Sequence, residues 1–376
     1  MVLFYENHVN HFLKNKKELP SMKTPATIKD IARASGVSIA TVSRVINGTA
    51  PVLPETRQRV EEAIRKQDYT PNALAKGLVS RRTSSIGVTI PDISNPYFSS
   101  LFCEIEATAH QNGFSVFLFN TMFSSRLSRR PRDFKEQDYF QMLLESQVAG
   151  AVIAGGQLDL SAPDPEYQEA LRKLSQCVPL VILSDPVPNV TAVYLNREEN
   201  TGMVQAIEYL ASLGHKNIAF LGGEAGITIT ESRLKVYKDT LLRLGLPVSP
   251  DLIHLSDYYV TDGYTAARSL IQNQAHASAV LAVNDNVALG ALRAFSEAGI
   301  QVPAQISIIS CEEFPMASYY TPSLTTVKRH SDLFGHTVIQ TLLSVIRKKE
   351  IGRIPTITSQ LVVRESTARW DAANRM

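Results

Sequence analysis

The chain is short of cysteine, of long apolar runs and of enzyme signatures, and each shortage closes a class of function. Cys103, Cys177 and Cys311 lie far apart, are odd in number and form no CxxC pair. That excludes a disulfide framework and a cysteine-based zinc site, and fits small buried residues in a reducing cytosol. No apolar run approaches the roughly 18 residues that a membrane helix needs. The start, MVLFYENHVNHFLKNKKELP, lacks the continuous apolar core of a secretory signal. A cytoplasmic protein with no membrane contact is expected. GxxxxGKS/T, GxSxG and HExxH are missing, and the eight histidines form no zinc-like cluster. LGGEAG follows an apolar run but lacks GxGxxG spacing. No catalytic residue, metal or cofactor is therefore expected.

What is present is ordinary in amount and uneven in placement. At 376 residues, 44% hydrophobic and 20% charged, the chain is too long for one core and too apolar for disorder. Net charge is only +2, yet residues 23–82 carry eleven Lys or Arg against five Asp or Glu. The first 22 residues have a net charge of +1, which leaves −5 for the rest. A small basic head on a mildly acidic body suits a polyanion-binding module joined to something else.

Residues 1–22 show no sustained period and read as a tail; Met22 is a plausible translation start. From Thr27 to about Lys66 the pattern is helical. From Ile86 onward the apolar runs IGVTIP, SVFLFN, GAVIAG, PLVILS, NIAFLGG, DLIHLS, AVLAVND and ISIIS each have the length of one buried strand. Helix-period segments such as AIEYLASLGH and LKVYKDTLLRLG separate most of them. Continuous apolar strands with helices between them predict parallel sheets covered on both faces. Two α/β halves are expected, with a crossover near Pro186–Val190. No fixed-period repeat or low-complexity tract is visible.

TIKDIARASGVSIATVSRVIN, residues 27–47, has helix-turn-helix spacing. Thr27 suits an N-cap and Asp30 the dipole-favoured first turn. Ala32 leaves room for a helix crossing, Gly36 can end the first helix in the left-handed conformation, and Ser38 can cap a second helix burying Val42 and Val45. The second helix of this motif enters the major groove. Its early residues Ile39 and Ala40 can make apolar base contacts, and Arg44 can pair bidentately with guanine. Ser38, Thr41, Ser43 and Asn47 are short polar groups suited to phosphate oxygens. Asn47, before Gly48, equally suits a helix C-cap.

TIKDIARASGVSIATVSRVING, ETRQRVEEAIRKQDYTPNALAKGL, IGVTIPDISNPYF, EYLASLGHKNIAFLGG, AVNDNVALGALRAFSEAGIQVPAQISII, PSLTTV and VVRESTA occur in this order over residues 27–368. This series resembles the lactose-repressor (LacI/GalR) family of transcription regulators. The resemblance implies a small all-α helix-turn-helix head joined by a hinge helix to a two-lobed α/β periplasmic-binding-protein-like (type I) body. It implies a homodimer that binds a near-palindromic double-stranded DNA operator, most often as a repressor, under control of a small-molecule effector such as a sugar. The expected divisions are a tail (1–22), the head (23–70), hinge and linker (71–83), the body (84–368) and a tail (369–376). The N-lobe would comprise about 84–185 and 314–348, and the C-lobe about 186–313 and 349–368.

In the hinge, PNALAKGL, Leu78 corresponds by position to a leucine wedged into a minor-groove base step, a use that accounts for an exposed linker leucine; packing on the body is the other reading. Lys76 stands where relatives usually carry Arg, and Gly77 weakens a helix. A hinge helix that forms only on DNA is expected. In the body, Arg233 corresponds to an arginine that grips effector oxygens, Asn284 and Asp285 to the polar strand end of AVNDNVALG, and Tyr258 to an aromatic stacked on the effector. Asn95, Tyr97 and Phe98 match the opposite wall. Arg233 and Asp285 suit a structural ion pair as well, and Phe98 plain core packing.

Three departures separate this cleft from relatives. Ser310, Cys311, Glu312 and Glu313 stand where Gly, an aromatic and two acids are common; Ser184–Asp185 replaces a usual Asp-Arg; Val236 replaces a usual glycine. The long loop MFSSRLSRRPRDFKEQ carries Arg126, Arg129, Arg130 and Arg132, which would attract an anionic effector or simply be a solvated loop. No leucine heptads follow VVRESTARW, so a dimer rather than a tetramer is expected. The same fold controlled by a protein partner, as in relatives that pair with phosphocarrier proteins, is the alternative. An uptake binding protein would leave the head without a purpose.

Overall fold

Local signals build the head. The computed structural model describes residues 26–47, 50–69, 84–121, 135–196, 200–273 and 276–371, with Asn47 described by its backbone alone. The chain divides into two units, Met1–Thr83 and Ser84–Met376. Helix α1 (Ile28–Ser35) begins at Thr27, whose backbone N–H and hydroxyl donate to Asp30 Oδ2 at 2.9 and 2.6 Å. These bonds hold the Asp30 carboxyl below its ordinary range, at the helix end that favours negative charge. Gly36, at φ 66°, ends the helix, and its N–H donates to the Ala32 carbonyl. Ser38 Oγ then accepts from the Thr41 N–H at 3.1 Å and opens α2 (Ile39–Asn47). Helix α3 (Pro54–Lys66) opens on proline, which costs nothing where the N–H would be unpaired. Ile31, Ala32, Val42, Val45, Val60 and Ala63 form the head's core.

The body is two sheets with helices on their faces. The first runs β2-β1-β3-β4-β5, all parallel: β1 (Ser85–Ile90), β2 (Ser115–Asn120), β3 (Gly150–Ala154), β4 (Leu180–Leu183) and β5 (Val193–Tyr194). Around it lie α4 (Pro96–Gln111), α5 (Asp138–Glu145), α6 (Pro165–Cys177) and, from late in the chain, α11 (Ser331–Ile346). The second runs β11-β10-β9-β8-β6-β7: β6 (Ile218–Leu221), β7 (Ile253–His254), β8 (Ala279–Ala282), β9 (Ser307–Ser310), β10 (Thr325–Lys328) and an antiparallel β11 (Gln360–Val362). Its helices are α7 (Asn200–Ser212), α8 (Thr228–Arg243), α9 (Val260–Gln272) and α10 (Asp285–Glu297).

Every apolar run read as a strand forms one. β1, β3, β6, β8 and β9 are buried throughout, whereas β2 alternates because it is an edge strand, with Phe117 turned to solvent. Helices α9 and α10 touch through backbone: a Cβ at Gly290 would lie 2.0 Å from the Val260 carbonyl oxygen, and one at Gly263 2.2 Å from that of Val287.

The lobe boundaries differ from those expected. β5 still belongs to the first sheet, so the first crossover follows Tyr194 rather than Pro186–Val190. β10 still belongs to the second, so the return crossover is at Arg329–His330, not residue 314. Both strands are short and lack an apolar run, which hides them in the sequence. The chain from residue 369 is not a free tail at first. Trp370 N–H donates to the Leu213 carbonyl at 2.8 Å, and its ring lies 5.9 Å from buried His215. The hinge with Lys76 and Leu78, the arginine loop at 126–132 and the tail of residues 1–22 lie outside the described residues. No helix among the described residues is long and apolar enough to cross a membrane.

Candidate functional site: an exposed helix and an inter-lobe cleft

Helix α2 divides its residues by the helical period. Val42 and Val45 are 0% and 7% exposed and face the head's core. Ala40, Ser43 and Arg44 fall on the opposite side of a 3.6-residue wheel, with Ile39 at its edge. Ile39 is 45% exposed, and Ala40 and Arg44 are exposed as well. An exposed isoleucine at the start of a helix that also exposes Ala40 and Arg44 is poor design for a solvated face and good design for a base-reading one. Ser38 is exposed, but its hydroxyl caps α2 and lies 2.9 Å from Thr41 Oγ1. These two hydroxyls therefore have structural partners already. Thr27 is also exposed and bonded to Asp30.

In the body a cleft of about 1230 Å³ opens between the lobes. Asn95, Tyr97, Phe98, Arg233, Tyr258 and Asn284 border it, as the family resemblance implies. Asn95 is the N-cap of α4, its Oδ1 accepting from the Tyr97 N–H at 3.0 Å. Tyr97 and Phe98 pack edge-on at 4.8 Å and also rest on the first lobe's core, so the two readings of Phe98 both hold. Across the cleft, burial pushes the Tyr258 phenol up to about 12 although its hydroxyl lies 2.5 Å from Thr230 Oγ1. Asn284 caps α10 by accepting from the Val287 N–H at 2.9 Å and donates to the Tyr258 carbonyl at 3.0 Å.

Arg233 is 5% exposed and largely committed. Its Nη1 donates to the Val283 carbonyl and its Nη2 to Glu312 Oε1, each at 2.6 Å. Glu312 also accepts from buried Arg329, whose guanidinium lies over the Tyr97 ring. One carboxylate thus holds two arginines at the cleft floor. The ion pair raised for Arg233 exists, but its partner is Glu312, in the loop after β9, and not Asp285.

Asp285 corrects an expectation. It is fully buried, does not border the cleft, and accepts from Ser310 Oγ at 2.5 Å and the Phe314 N–H at 2.8 Å. Burial pushes its carboxyl up to about 7 against the pull of those bonds. The first residue of a helix that starts at a strand end can point back into the fold, and here both oxygens tie α10 to the loop after β9.

Three contacts that the sequence did not reveal join the lobes across the cleft. Tyr259 Oη donates to Asp92 Oδ2 at 2.7 Å, Leu160 and Ile227 form an antiparallel bridge, and Thr228 Oγ1 donates to the Asp159 carbonyl at 2.7 Å. Beside them, consecutive glycines 155 and 156, at φ 67° and 71°, let two carboxyls close on the backbone. A Cβ at Gly155 would lie 3.0 Å from Asp159 Oδ2, and one at Gly156 2.2 Å from Glu136 Oε1. Burial pushes Asp159 up to about 7 and Glu136 up to about 8, the latter helped by the charge of Asp159. No group of His, Cys, Asp and Glu among the described residues is arranged to hold a metal ion.

Comparison with known proteins agrees with both halves. The family "Bacterial regulatory proteins, lacI family" matches residues 27–72, and "Periplasmic binding protein-like domain" matches residues 207–367. The chain is 32% identical to the HTH-type transcriptional regulator DegA of Bacillus subtilis over 92% of its own length and 99% of DegA. It is 30% identical to the HTH-type transcriptional repressor PurR of Pasteurella multocida, over 91% and 98%. The lac repressor dimer, solved bound to operator and the anti-inducer ONPF, superposes with a TM-score of 0.79 at 28% identity, over 92% of this chain and 100% of that one. The helix-turn-helix, the two-sheet body and these matches together make the chain a member of the lacI family, a DNA-binding transcriptional regulator with a periplasmic-binding-protein-like body.

Proposed function

We propose that the protein is a cytoplasmic repressor that binds a near-palindromic double-stranded DNA operator as a homodimer and is controlled by a sugar or sugar derivative in the inter-lobe cleft. The observation that carries this reading is the division of α2: Val42 and Val45 inward, Ile39, Ala40 and Arg44 outward. Arg44 reads a guanine, Ile39 and Ala40 meet an apolar base edge, and Thr27, Ser38, Thr41, Ser43 and Asn47 position the helix on phosphates. Lys76 and Leu78 act in the minor groove. The lac repressor solved on its operator and the PurR repressors among the relatives support this reading.

In the cleft, Arg233 and Asn284 present polar atoms from one lobe and Asn95 from the other, while Tyr97, Phe98 and Tyr258 supply ring faces. An effector that bridges the lobes changes their closure, and so couples to DNA affinity by about 1–3 kcal/mol in either direction. The test is fluorescence anisotropy of a labelled palindromic fragment from the DNA upstream of the protein's own gene, titrated with the full chain at rising salt. Tight binding that weakens steeply with salt and shifts on addition of a metabolite extract is expected. Failure to bind any such fragment at low salt, with or without extract, would refute it.

A further inference from the structure

The proposed effector site has a lopsided charge. Among the described residues, six carboxyl groups border the cleft (Asp92, Asp159, Asp185, Glu224, Asp257 and Glu312), against the two guanidiniums of Arg233 and Arg329 and no lysine. Both guanidiniums are already held by Glu312. Asp92 accepts from Tyr259 and Ser94, and Asp185 from Asn196, all neutral donors. Asp159 has Glu136 behind it on the same glycine turn. Independently, the Tyr167 hydroxyl is wholly buried and has no hydrogen-bond partner among the described residues. It feels the charge of both Glu136 and Asp159, which with burial holds its phenol well above the ordinary value. Of these three groups Asp159 borders the cleft, with Glu136 and the Tyr167 phenol buried behind it.

We propose that the effector carries a protonated amine, as an amino sugar or amino polyol does, and that this amine seats against Asp159. The inference rests on the cleft being the effector site. A cation there is attracted by a cleft rich in carboxylates, whereas an anion would meet like charge in a low-dielectric site, a cost of several kcal/mol. A neutral sugar would satisfy hydrogen bonds and leave the raised Asp159 carboxyl its proton, whereas an ammonium beside it favours the charged form and pairs with it. Asp159 is therefore the residue that selects the effector's charge, and Glu136 positions it.

Calorimetric titration of the full chain tests this with glucosamine, galactosamine, mannosamine and their amino alditols, beside the matched neutral sugars and their 6-phosphates. At least one amine should bind about tenfold tighter than its neutral parent, the difference expected for a charge-assisted hydrogen bond. Asp159→Asn should remove that preference, bringing the amine's affinity down to about that of its neutral parent measured on the same variant. If Asp159→Asn does not fold, Glu136→Gln should reduce the preference instead. A neutral or phosphorylated sugar that binds as tightly as any amine would overturn the proposal and leave the effector reading standing. Absence of binding by every compound would overturn both.

Discussion

Arg44 and Arg233 are the two arginines proposed for recognition, and the molecule holds them in opposite ways. Arg44 stands exposed on α2, with no hydrogen bond or ion pair to another of the described residues. Arg233 is 5% exposed and bonded to the Val283 carbonyl and Glu312. The first must lose side-chain freedom when it meets a base edge, so its contribution comes in the complex and depends on sequence and salt. The second is ordered in advance, at the expense of burying charge, so its loss should register in folding before it registers in binding. A head that docks on a polyanion and a cleft that selects among small molecules call for these two solutions.

The sharpest way to break this contrast is Glu312→Ala. Removing the carboxylate shared by Arg233 and Arg329 leaves buried guanidinium charge and should destabilise the body by about 3–5 kcal/mol in urea unfolding. A loss under about 1 kcal/mol would mean the triad is solvated and the cleft floor is not preorganised.

Asp285 gives a pH signature opposite in sign to that of Asp30 in the head, whose carboxyl is lowered. Its carboxyl is raised from 3.8 to about 7, so the folded state keeps a proton that the unfolded chain loses. Stability from this residue is fully present below about pH 4 and disappears as pH rises to about 7, at roughly 1.4 kcal/mol per pH unit for one proton. The difference in unfolding free energy between wild type and Asp285→Asn should follow that slope between pH 4 and 7 and be flat above. A difference independent of pH would contradict it. His215, buried with Nδ1 on Ser278 and lowered by burial, has the opposite sign, and comparing wild type with the Asp285 variant cancels it.

Arg44→Ala should cost operator affinity by about 1–3 kcal/mol and relax one base position, while shifting head stability by less than about 0.5 kcal/mol. The reverse pattern, stability lost and affinity kept, would make Arg44 a structural residue. Smallest is Ser38→Ala, which removes the acceptor for the Thr41 N–H and should cost the head about 1 kcal/mol in thermal unfolding. No loss would show that Ser38 serves DNA alone.

The head was legible because its determinants are local. Thr27, Gly36, Ser38 and Val42 fix caps, turn and core within sixteen residues, and each occupies the expected place. The buried strands were legible because both faces are covered, which leaves continuous apolar runs. Val193–Tyr194 and TTVK carry no such run, which hides β5 and β10 and sets the expected lobe boundaries too early. In the cleft, the resemblance to relatives marks the lining residues but not their partners. Glu312 meets Arg233 across 79 positions and Arg329 across 17, pairings that no local pattern encodes. Asp285 was misassigned for the same reason: the strand end was visible, but the inward turn of its side chain was not.

The central claim is that the outward face of α2 reads sequence while the rest of the head supplies charge. It is tested most directly by anisotropy titration of wild type and Arg44→Ala against a palindromic operator fragment and a scrambled fragment over a range of salt. For wild type, tight, salt-sensitive binding to the palindrome and much weaker binding to the scrambled fragment are predicted, with the gap narrowed by Arg44→Ala and the salt slope nearly unchanged. Equal affinity of wild type for both fragments, or a gap untouched by the substitution, would contradict it.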